Sequence, residues 1–174
     1  MIFTRKRLAL TLIVSCLVLL FILACGSTDA STPPTTVNGT VTSAPQAQHF
    51  KVGDQVKISY WVVTINSTKT NPGSSFDKPQ NGQYLILDIT FKNTDSSTHT
   101  VSSIIQFQFQ DSTGQKYNDQ ITTLKGVTPP DGDVQAGGQA RGQVVYDVPK
   151  SEHAFTFTFT PDLGDNAATW DISL

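Results

Sequence analysis

The most constraining feature of the sequence is the run Gly82–Asn93, which reads Gly-Gln-Tyr-Leu-Ile-Leu-Asp-Ile-Thr-Phe-Lys-Asn. Its large apolar residues recur at every second position, which is the periodicity of a β-strand with one buried face. That face is made by Leu85, Leu87, Ile89 and Phe91, whereas the opposite face is mainly polar. The run therefore predicts a strand that needs a hydrophobic core on one side and can meet water on the other.

The rest of residues 50–174 repeats this alternation in short segments separated by turn residues. Strands are predicted around Trp61, over 105–109, over 139–148 with Pro149 as its stop, over 155–159, and over 170–174. A change of parity between Tyr60 and Trp61 predicts a bulge or a bend that passes the chain between sheets. With about seven to nine short strands and no convincing helix, the region is predicted to be an all-β, two-sheet antiparallel sandwich. Trp61 is expected in its core rather than on a ligand-stacking surface.

Residues 1–24 have the layout of a secretory signal peptide. Basic residues at positions 5–7 precede an apolar run over 8–23, and Ala24 precedes Cys25. The sequence Ile22-Leu23-Ala24-Cys25 resembles the bacterial lipobox, in which the cysteine sulfur receives a diacylglyceryl group before the peptidase cuts. We therefore predict lipidation of Cys25, in preference to the weaker match that ends at Cys16. An uncleaved transmembrane anchor is the alternative, since about 17 apolar residues can span a bilayer.

Residues 25–49 are rich in Ser, Thr and Pro and are predicted to form a flexible tether between the lipid and the domain. Without the signal segment, 9 basic residues face 14 acidic ones, a formal charge of −5. The domain has no Lys/Arg cluster, so nucleic acid is not expected as a partner. Because both cysteines lie at or before position 25, a disulfide, a thiolate metal site and a cysteine nucleophile are not expected in the domain.

The longest loop, residues 118–138, is the first place to look for function because loops often carry it. Asp119, Asp131 and Asp133 are the calcium-binding candidates there, but the full Asp-x-Asp-x-Asp-Gly pattern and its late glutamate are absent. A plain acidic turn is the expectation. The outward glutamines of the 105–110 segment are similarly expected to be a solvated strand face rather than a glycan site.

Catalytic and metal-binding motifs are not found in the domain. His49, His99 and His153 are far apart in sequence and belong to no His-x-His or His-Glu-x-x-His pattern. No Gly-x-Ser-x-Gly elbow occurs, and Glu152 is the only glutamate. We therefore expect neither a cofactor nor enzymatic activity. A hydrolase or metal-handling protein, with a site assembled from His99, His153 and loop aspartates, is the alternative.

Four segments together resemble a large bacterial family defined only as a domain of unknown function. They are Val52–Asp54, Gly82–Asn93, Asp111–Tyr117 and Gly142–Pro149, and the resemblance covers about residues 50–162. It implies an immunoglobulin-like sandwich, common in surface lipoproteins and similar to mycobacterial immunoprotective extracellular antigens. It supplies no catalytic residues. Where family members often have Pro-Gly before the Gly142 strand, this chain has Ala136-Gly137-Gly138.

The resulting prediction is a bacterial extracytoplasmic lipoprotein with three parts: a signal peptide (1–24), a lipidated Cys25 with its tether (25–49) and an immunoglobulin-like domain (50–174). The lipid would hold it on the membrane. The domain would act as a non-enzymatic binding module for an envelope or extracellular protein or glycan.

Overall fold

The computed structural model describes residues 35–36, 48–162, 164 and 166–174. This part of the chain contains one short helix, α1 (Ser103–Gln106), and twelve strands. The strands are β1 (Thr35–Thr36), β2 (His49–Lys51), β3 (Gln55–Ile58), β4 (Trp61–Asn71), β5 (Gly82–Asn93), β6 (His99–Val101), β7 (Phe107–Asp111), β8 (Lys116–Tyr117), β9 (Gly132–Val134), β10 (Gln139–Pro149), β11 (Ala154–Phe159) and β12 (Ala168–Ser173). Seven of them have four residues or more.

The strands form two five-stranded sheets and a two-stranded ribbon. The first sheet has the order β1-β3-β4-β5-β10, the second has the order β2-β12-β11-β7-β8, and the ribbon pairs β6 with β9. Neighbouring strands are antiparallel except β2 and β12, which are parallel. One hydrophobic cluster takes residues from both sheets. The prediction of an all-β sandwich is confirmed.

Strand β5 has the bounds that the sequence predicts and lies between β4 and β10 in the first sheet. Its inward residues Leu85, Leu87, Ile89 and Phe91 are all fully buried. Alternation along β5 therefore sets which face of the sheet meets the core.

Aromatic side chains fill the space between the two sheets. Phe109 of β7 stacks on Tyr146 of β10 with 4.1 Å between ring centroids, which joins the sheets directly. Trp61 and Trp170, one in each sheet, are both fully buried. Trp61 is thus a core residue, as predicted.

The predicted passage between sheets at Tyr60–Trp61 is wrong. Ser59 and Tyr60 form a tight turn that joins β3 to β4 within one sheet, and Ser59 has a positive φ of 51°. Ile58 pairs with Trp61 across this turn, and paired residues of antiparallel strands face the same side. The change of parity therefore marks a hairpin, and the irregularity in pairing lies later, between Ile65 and Ser67.

The strand predicted over residues 105–109 begins only at Phe107. The preceding residues form α1, in which the Gln106 side chain accepts a hydrogen bond from Ser102 N (2.8 Å). Ile105 consequently points away from the core and is 66% exposed. Leu174, expected in the closing strand, lies beyond β12 and is 41% exposed.

The signal segment, Cys25 and most of the predicted tether lie outside the described residues. Within the tether, Thr35–Thr36 pairs as β1 with Val56 and Lys57 of β3. Over the described ranges, no helix is both long and apolar enough to cross a membrane.

Candidate functional site

The loop that follows β8 is held along the free edge of β10, the last strand of the first sheet. Gln120 N donates to Val145 O (2.7 Å), and Gln143 N donates to Thr128 O (2.7 Å). Gly142 makes this approach possible, because a Cβ atom there would collide with the backbone of the loop at residues 129–130. The loop is therefore attached to β10 along much of its length.

This attachment changes the outer face of β5, which the sequence predicts to be solvated. Tyr84, Ile86 and Val145 form a second hydrophobic cluster, against which Leu124 and Val127 of the loop pack. Ile86 is only 2% exposed. The first sheet thus has apolar cover on both faces, and the loop is part of the folded domain.

Two of the three loop aspartates, Asp119 and Asp131, line the same cleft as Ser103 of helix α1. Asp131 accepts hydrogen bonds from Ser103 N (2.7 Å) and from Ser103 Oγ (3.0 Å). Asp119 accepts one from Val145 N (3.1 Å). Burial raises the pKa of Asp119; hydrogen bonds from Val145 N and Ser103 oppose the increase, and the negative charge of Asp131 adds to it.

These carboxylates line an open cleft of about 340 Å³, which we call the carboxylate cleft. It is lined by Ser103, Ile104, Asp119, Gln120, Ile121, Thr122, Val127, Pro129, Asp131 and Gln143. The side chains of Ile104 and Ile121 stand at its rim with 88% and 105% of their reference area exposed. Large apolar residues so exposed at the edge of a polar concavity are typical of a binding surface.

A second cavity of about 180 Å³ shares Ser103, Ile104 and Asp119 with the carboxylate cleft. Tyr146 lines this inner cavity and is 2% exposed. Burial raises the pKa of Tyr146, and the nearby charge of Asp119 raises it further. Tyr146 and Asp119 therefore line one cavity, close enough for the charge of Asp119 to oppose ionisation of the tyrosine.

The remaining predicted candidates lie elsewhere. Asp133 accepts a hydrogen bond from Thr100 Oγ1 (2.6 Å) in the ribbon and does not line the cleft. His99 pairs with Asp95 (2.7 Å) and stacks on Tyr60 at 3.5 Å. His153 is exposed just before β11.

His49 contacts Asp171, with 2.6 Å between Nδ1 and Oδ1. In the part of the chain that the structure describes, no three His, Cys, Asp or Glu residues are grouped closely enough to hold a metal ion. The structure therefore does not gather His99, His153 and the loop aspartates into one site.

Sequence reasoning missed the residues that complete the cleft with Asp119 and Asp131. Ser103, Ile104, Ile121 and Gln143 come from three separate segments, and no spacing rule connects them. The one available signal was the pair Ile104–Ile105, since two adjacent apolar residues cannot both point inward from a strand.

Comparisons with known proteins give a family and a fold. The family model described as Domain of unknown function (DUF4352) matches residues 50–169. A search of curated proteins finds no match. Among solved structures, the yjhA protein from Bacillus subtilis is similar at 20% identity with a TM-score of 0.59, over 71% of this chain and 100% of that one.

A candidate lipoprotein (ycdA) from Bacillus subtilis is also similar, at 20% identity with a TM-score of 0.56. The match covers 66% of this chain but only 36% of the ycdA chain. The secreted Mycobacterium tuberculosis protein MPT63 matches at 16% identity and a TM-score of 0.46, over 74% of this chain and 99% of its own. At these identities the two Bacillus subtilis structures establish a shared fold, and the likeness to MPT63 is too distant to add to it.

Proposed function

We propose that this chain, which belongs to the DUF4352 family of domains of unknown function, is an extracytoplasmic binding protein that a lipid on Cys25 anchors to a bacterial membrane. The carboxylate cleft is its binding site. It engages another molecule of the envelope or the surroundings and does not transform it.

The observation that carries this proposal is the cleft with its exposed rim. Asp119 and Asp131 line the cleft, and isoleucine side chains stand almost wholly in solvent beside them. Exposing such large apolar side chains has no benefit for the stability of a free domain, because burial of apolar surface is what stabilises it. A partner that covers Ile104 and Ile121 would bury their apolar surface, and this would stabilise the complex.

The chemistry of the cleft supports binding over catalysis. Both oxygens of Asp131 accept hydrogen bonds from Ser103, and Asp119 accepts one from the backbone of β10. Neither arrangement activates a nucleophile, because the Ser103 hydroxyl donates to a carboxylate rather than to a histidine base. The histidines of the described residues do not line the cleft.

The anchor part of the proposal is supported by the sequence. Basic residues, an apolar run and Ala24-Cys25 appear in the order that lipid modification requires. A diacylglyceryl group holds a protein far more firmly than one acyl chain does, because the free energy of insertion grows with each buried methylene. In the host bacterium, Cys25→Ala should abolish labelling by a fatty-acid analogue, and unchanged labelling would refute the assignment.

The binding part is tested by crosslinking in the bacterium that carries this protein. A photoreactive phenylalanine analogue replaces Ile121 in one variant of the full chain and Val52 in another. Val52 is a matched control, since it is an apolar residue that is 37% exposed and does not line the cleft. We expect discrete crosslinked products from position 121 alone. The same products from both positions, or none from position 121, would contradict the proposal.

A further inference from the structure

The loop between β4 and β5, residues 72–81, presents one phenylalanine to solvent. Phe76 is 98% exposed, whereas the other phenylalanines that the structure describes are buried or half-buried. A phenylalanine stabilises a domain only where its ring leaves water. The ring of Phe76 therefore contributes nothing to the fold of the free domain.

Hydrogen bonds hold this loop in the shape that exposes the ring. Ser74 N donates to Asp77 O (2.7 Å), and Ser74 Oγ accepts from Phe76 N (3.3 Å) and from Asp77 N (3.0 Å). The Asp77 carboxylate accepts from Tyr84 Oη (2.6 Å) and from Thr123 N, which fastens the loop both to β5 and to the loop that follows β8. The outward position of Phe76 is thus built into the structure.

The charged groups around Phe76 favour a negatively charged surface as its contact. Lys78 and Lys125 are both exposed, and Lys125 lies two residues beyond Thr123, on the loop that Asp77 binds. The Asp77 carboxylate itself is engaged between the two loops by its hydrogen bonds. An exposed aromatic ring with lysines nearby is the combination that binds the surface of an anionic membrane.

Other exposed parts of the domain have the opposite character. Ile104 and Ile121 stand at the rim of the carboxylate cleft, where Asp119 and Asp131 would repel an anionic surface. The domain as a whole carries a formal charge of −5. The Phe76 loop is therefore suited to a membrane in a way that the cleft is not.

We propose that the Phe76 loop rests on the membrane that carries the protein. Phe76 inserts its ring between the lipid headgroups, and Lys78 and Lys125 lie against the phosphates of anionic lipids. This inference rests on the anchor part of the proposed function and adds a second surface, separate from the cleft. It fixes which end of the domain faces the lipid.

The loop and the entry of the tether lie at opposite ends of the sandwich. The tether joins at His49, which pairs with Thr169 near the start of β12. The turn before β12 reaches the start of β4, because Tyr60 Oη donates to Asp162 Oδ1 (2.7 Å). The Phe76 loop follows the other end of β4, a strand of 11 residues, which is about 35 Å long.

The tether has the length that this contact requires. As a flexible coil, residues 26–48 have a root-mean-square length of about 25–30 Å and extend to about 75 Å. Pairing of Thr35–Thr36 with β3 still leaves residues 26–34, which extend to about 30 Å. A tether that matches the span makes the contact intramolecular, so one ring and two lysines suffice although they would bind weakly on their own.

The test uses the full chain reconstituted in vesicles of phosphatidylglycerol with a trace of fluorescent phospholipid. A photoreactive phenylalanine analogue replaces Phe76 in one variant and Val52 in the control. Illumination should give severalfold more fluorescent lipid adduct from position 76 than from position 52. The yield at position 76 should fall severalfold in phosphatidylcholine vesicles and at high salt, because salt and neutral headgroups weaken the attraction of the lysines.

Lysine variants test the charge directly. Lys78→Ala combined with Lys125→Ala should lower the adduct yield at position 76 severalfold, since each lysine near an anionic surface is worth about fivefold in binding. Lys57→Ala combined with Lys92→Ala removes two exposed lysines of the first sheet outside both loops and should leave the yield unchanged.

Four results would each overturn the inference. They are equal lipid adducts from positions 76 and 52, a yield at position 76 that ignores the charge of the lipid, a yield that ignores the loss of Lys78 and Lys125, and adducts to a second copy of the chain in place of lipid. Reconstitution needs only that the N-terminal segment holds the chain on the bilayer, with or without a lipid on Cys25. Failure here is therefore distinct from loss of Cys25 labelling and from failure of the crosslink at position 121.

Discussion

Asn93 provides the sharpest test of the packing around strand β5. It ends β5 and is fully buried. Its Nδ2 group donates to Ser97 O (2.7 Å), Val134 O (3.0 Å) and Gln135 O (3.2 Å), and its Oδ1 accepts from Asp95 N (2.9 Å). These hydrogen bonds therefore hold the end of β5 against the turn that follows it and against β9.

Asn93→Ala removes all four hydrogen bonds. An unpaired buried polar group costs about 1–3 kcal/mol, and one that water can reach costs less. The contact with Val134 O is buried, whereas Ser97 is exposed, so these losses together lower the free energy of unfolding by about 2–4 kcal/mol. That is a large fraction of the roughly 5–15 kcal/mol of a typical domain.

Asn93→Asp keeps the shape of the side chain and replaces its amide with a carboxyl group. It therefore tests whether a negative charge at this position destabilises the fold. Its carboxylate would face three carbonyl oxygens, so the folded state raises the pKa of the new carboxyl above its unfolded value of about 3.9. A raised pKa means that the penalty is absent below about pH 4 and grows as the pH rises through the folded-state pKa. At pH 7 the variant should therefore be less stable than Asn93→Ala, and the difference should shrink toward pH 4.

The assay is urea unfolding of protein without residues 1–24, followed by tryptophan fluorescence at pH 7 and pH 4.5. Trp61 and Trp170 are buried in different sheets, so coincident transitions would also establish cooperative unfolding. Lys92→Ala, at the exposed neighbouring position, is the control. If Asn93→Ala stays within about 0.5 kcal/mol of the parent protein, which is the range of ordinary surface substitutions, the description of Asn93 as a buried junction is wrong.

Three other changes probe the sandwich and its loop. Leu87→Lys should unfold the domain because Leu87 is fully buried, whereas Thr90→Lys on the outer face should keep a cooperative thermal transition by circular dichroism. Hydrogen bonds, first of all from the Thr113 side chain, lower the pKa of Asp111 from 3.8 to about 2. Stability should therefore decline as the pH falls from about 4 to about 2, and Asp111→Asn should flatten that part of the profile of unfolding midpoint against pH. Gly142→Ala should cost about 1–3 kcal/mol in urea unfolding by forcing the overlying loop off β10; an unchanged midpoint would contradict the close approach.

The sequence predicted the strands whose inward residues alternate without interruption. Strands β5, β10 and β11 lie where alternating apolar residues predict them, around Leu87, Val144 and Phe157 respectively. The prediction succeeds because a period of two residues is a local property of the chain. At Tyr60–Trp61 the same rule misled, since a hairpin turn and a passage between sheets leave the same change of parity. Only pairing across the turn separates them, and pairing is not local.

The carboxylate cleft lies beyond local reasoning for a related reason. Asp119 and Asp131 are candidates in the sequence because carboxylates in a loop suggest calcium, but the position of each is fixed by groups distant in sequence, Val145 N and Ser103. Asp133 lies only two residues from Asp131, yet it is part of β9 and accepts a hydrogen bond from Thr100 of β6. The residue types indicate which side chains are candidates for the site, but only tertiary contacts determine which of them line the cleft.

The outer face of β5 links the scaffold to the proposed site. Tyr84 and Ile86 lie on that face, and the loop packs Leu124 and Val127 against them, so the loop has an apolar foundation separate from the core between the sheets. At the rim of the cleft, Ile104 and Ile121 contribute little to either cluster, because their side chains stand in solvent. Substitutions at these two positions should accordingly have a small cost in stability, and under the proposed function they should change what the domain binds.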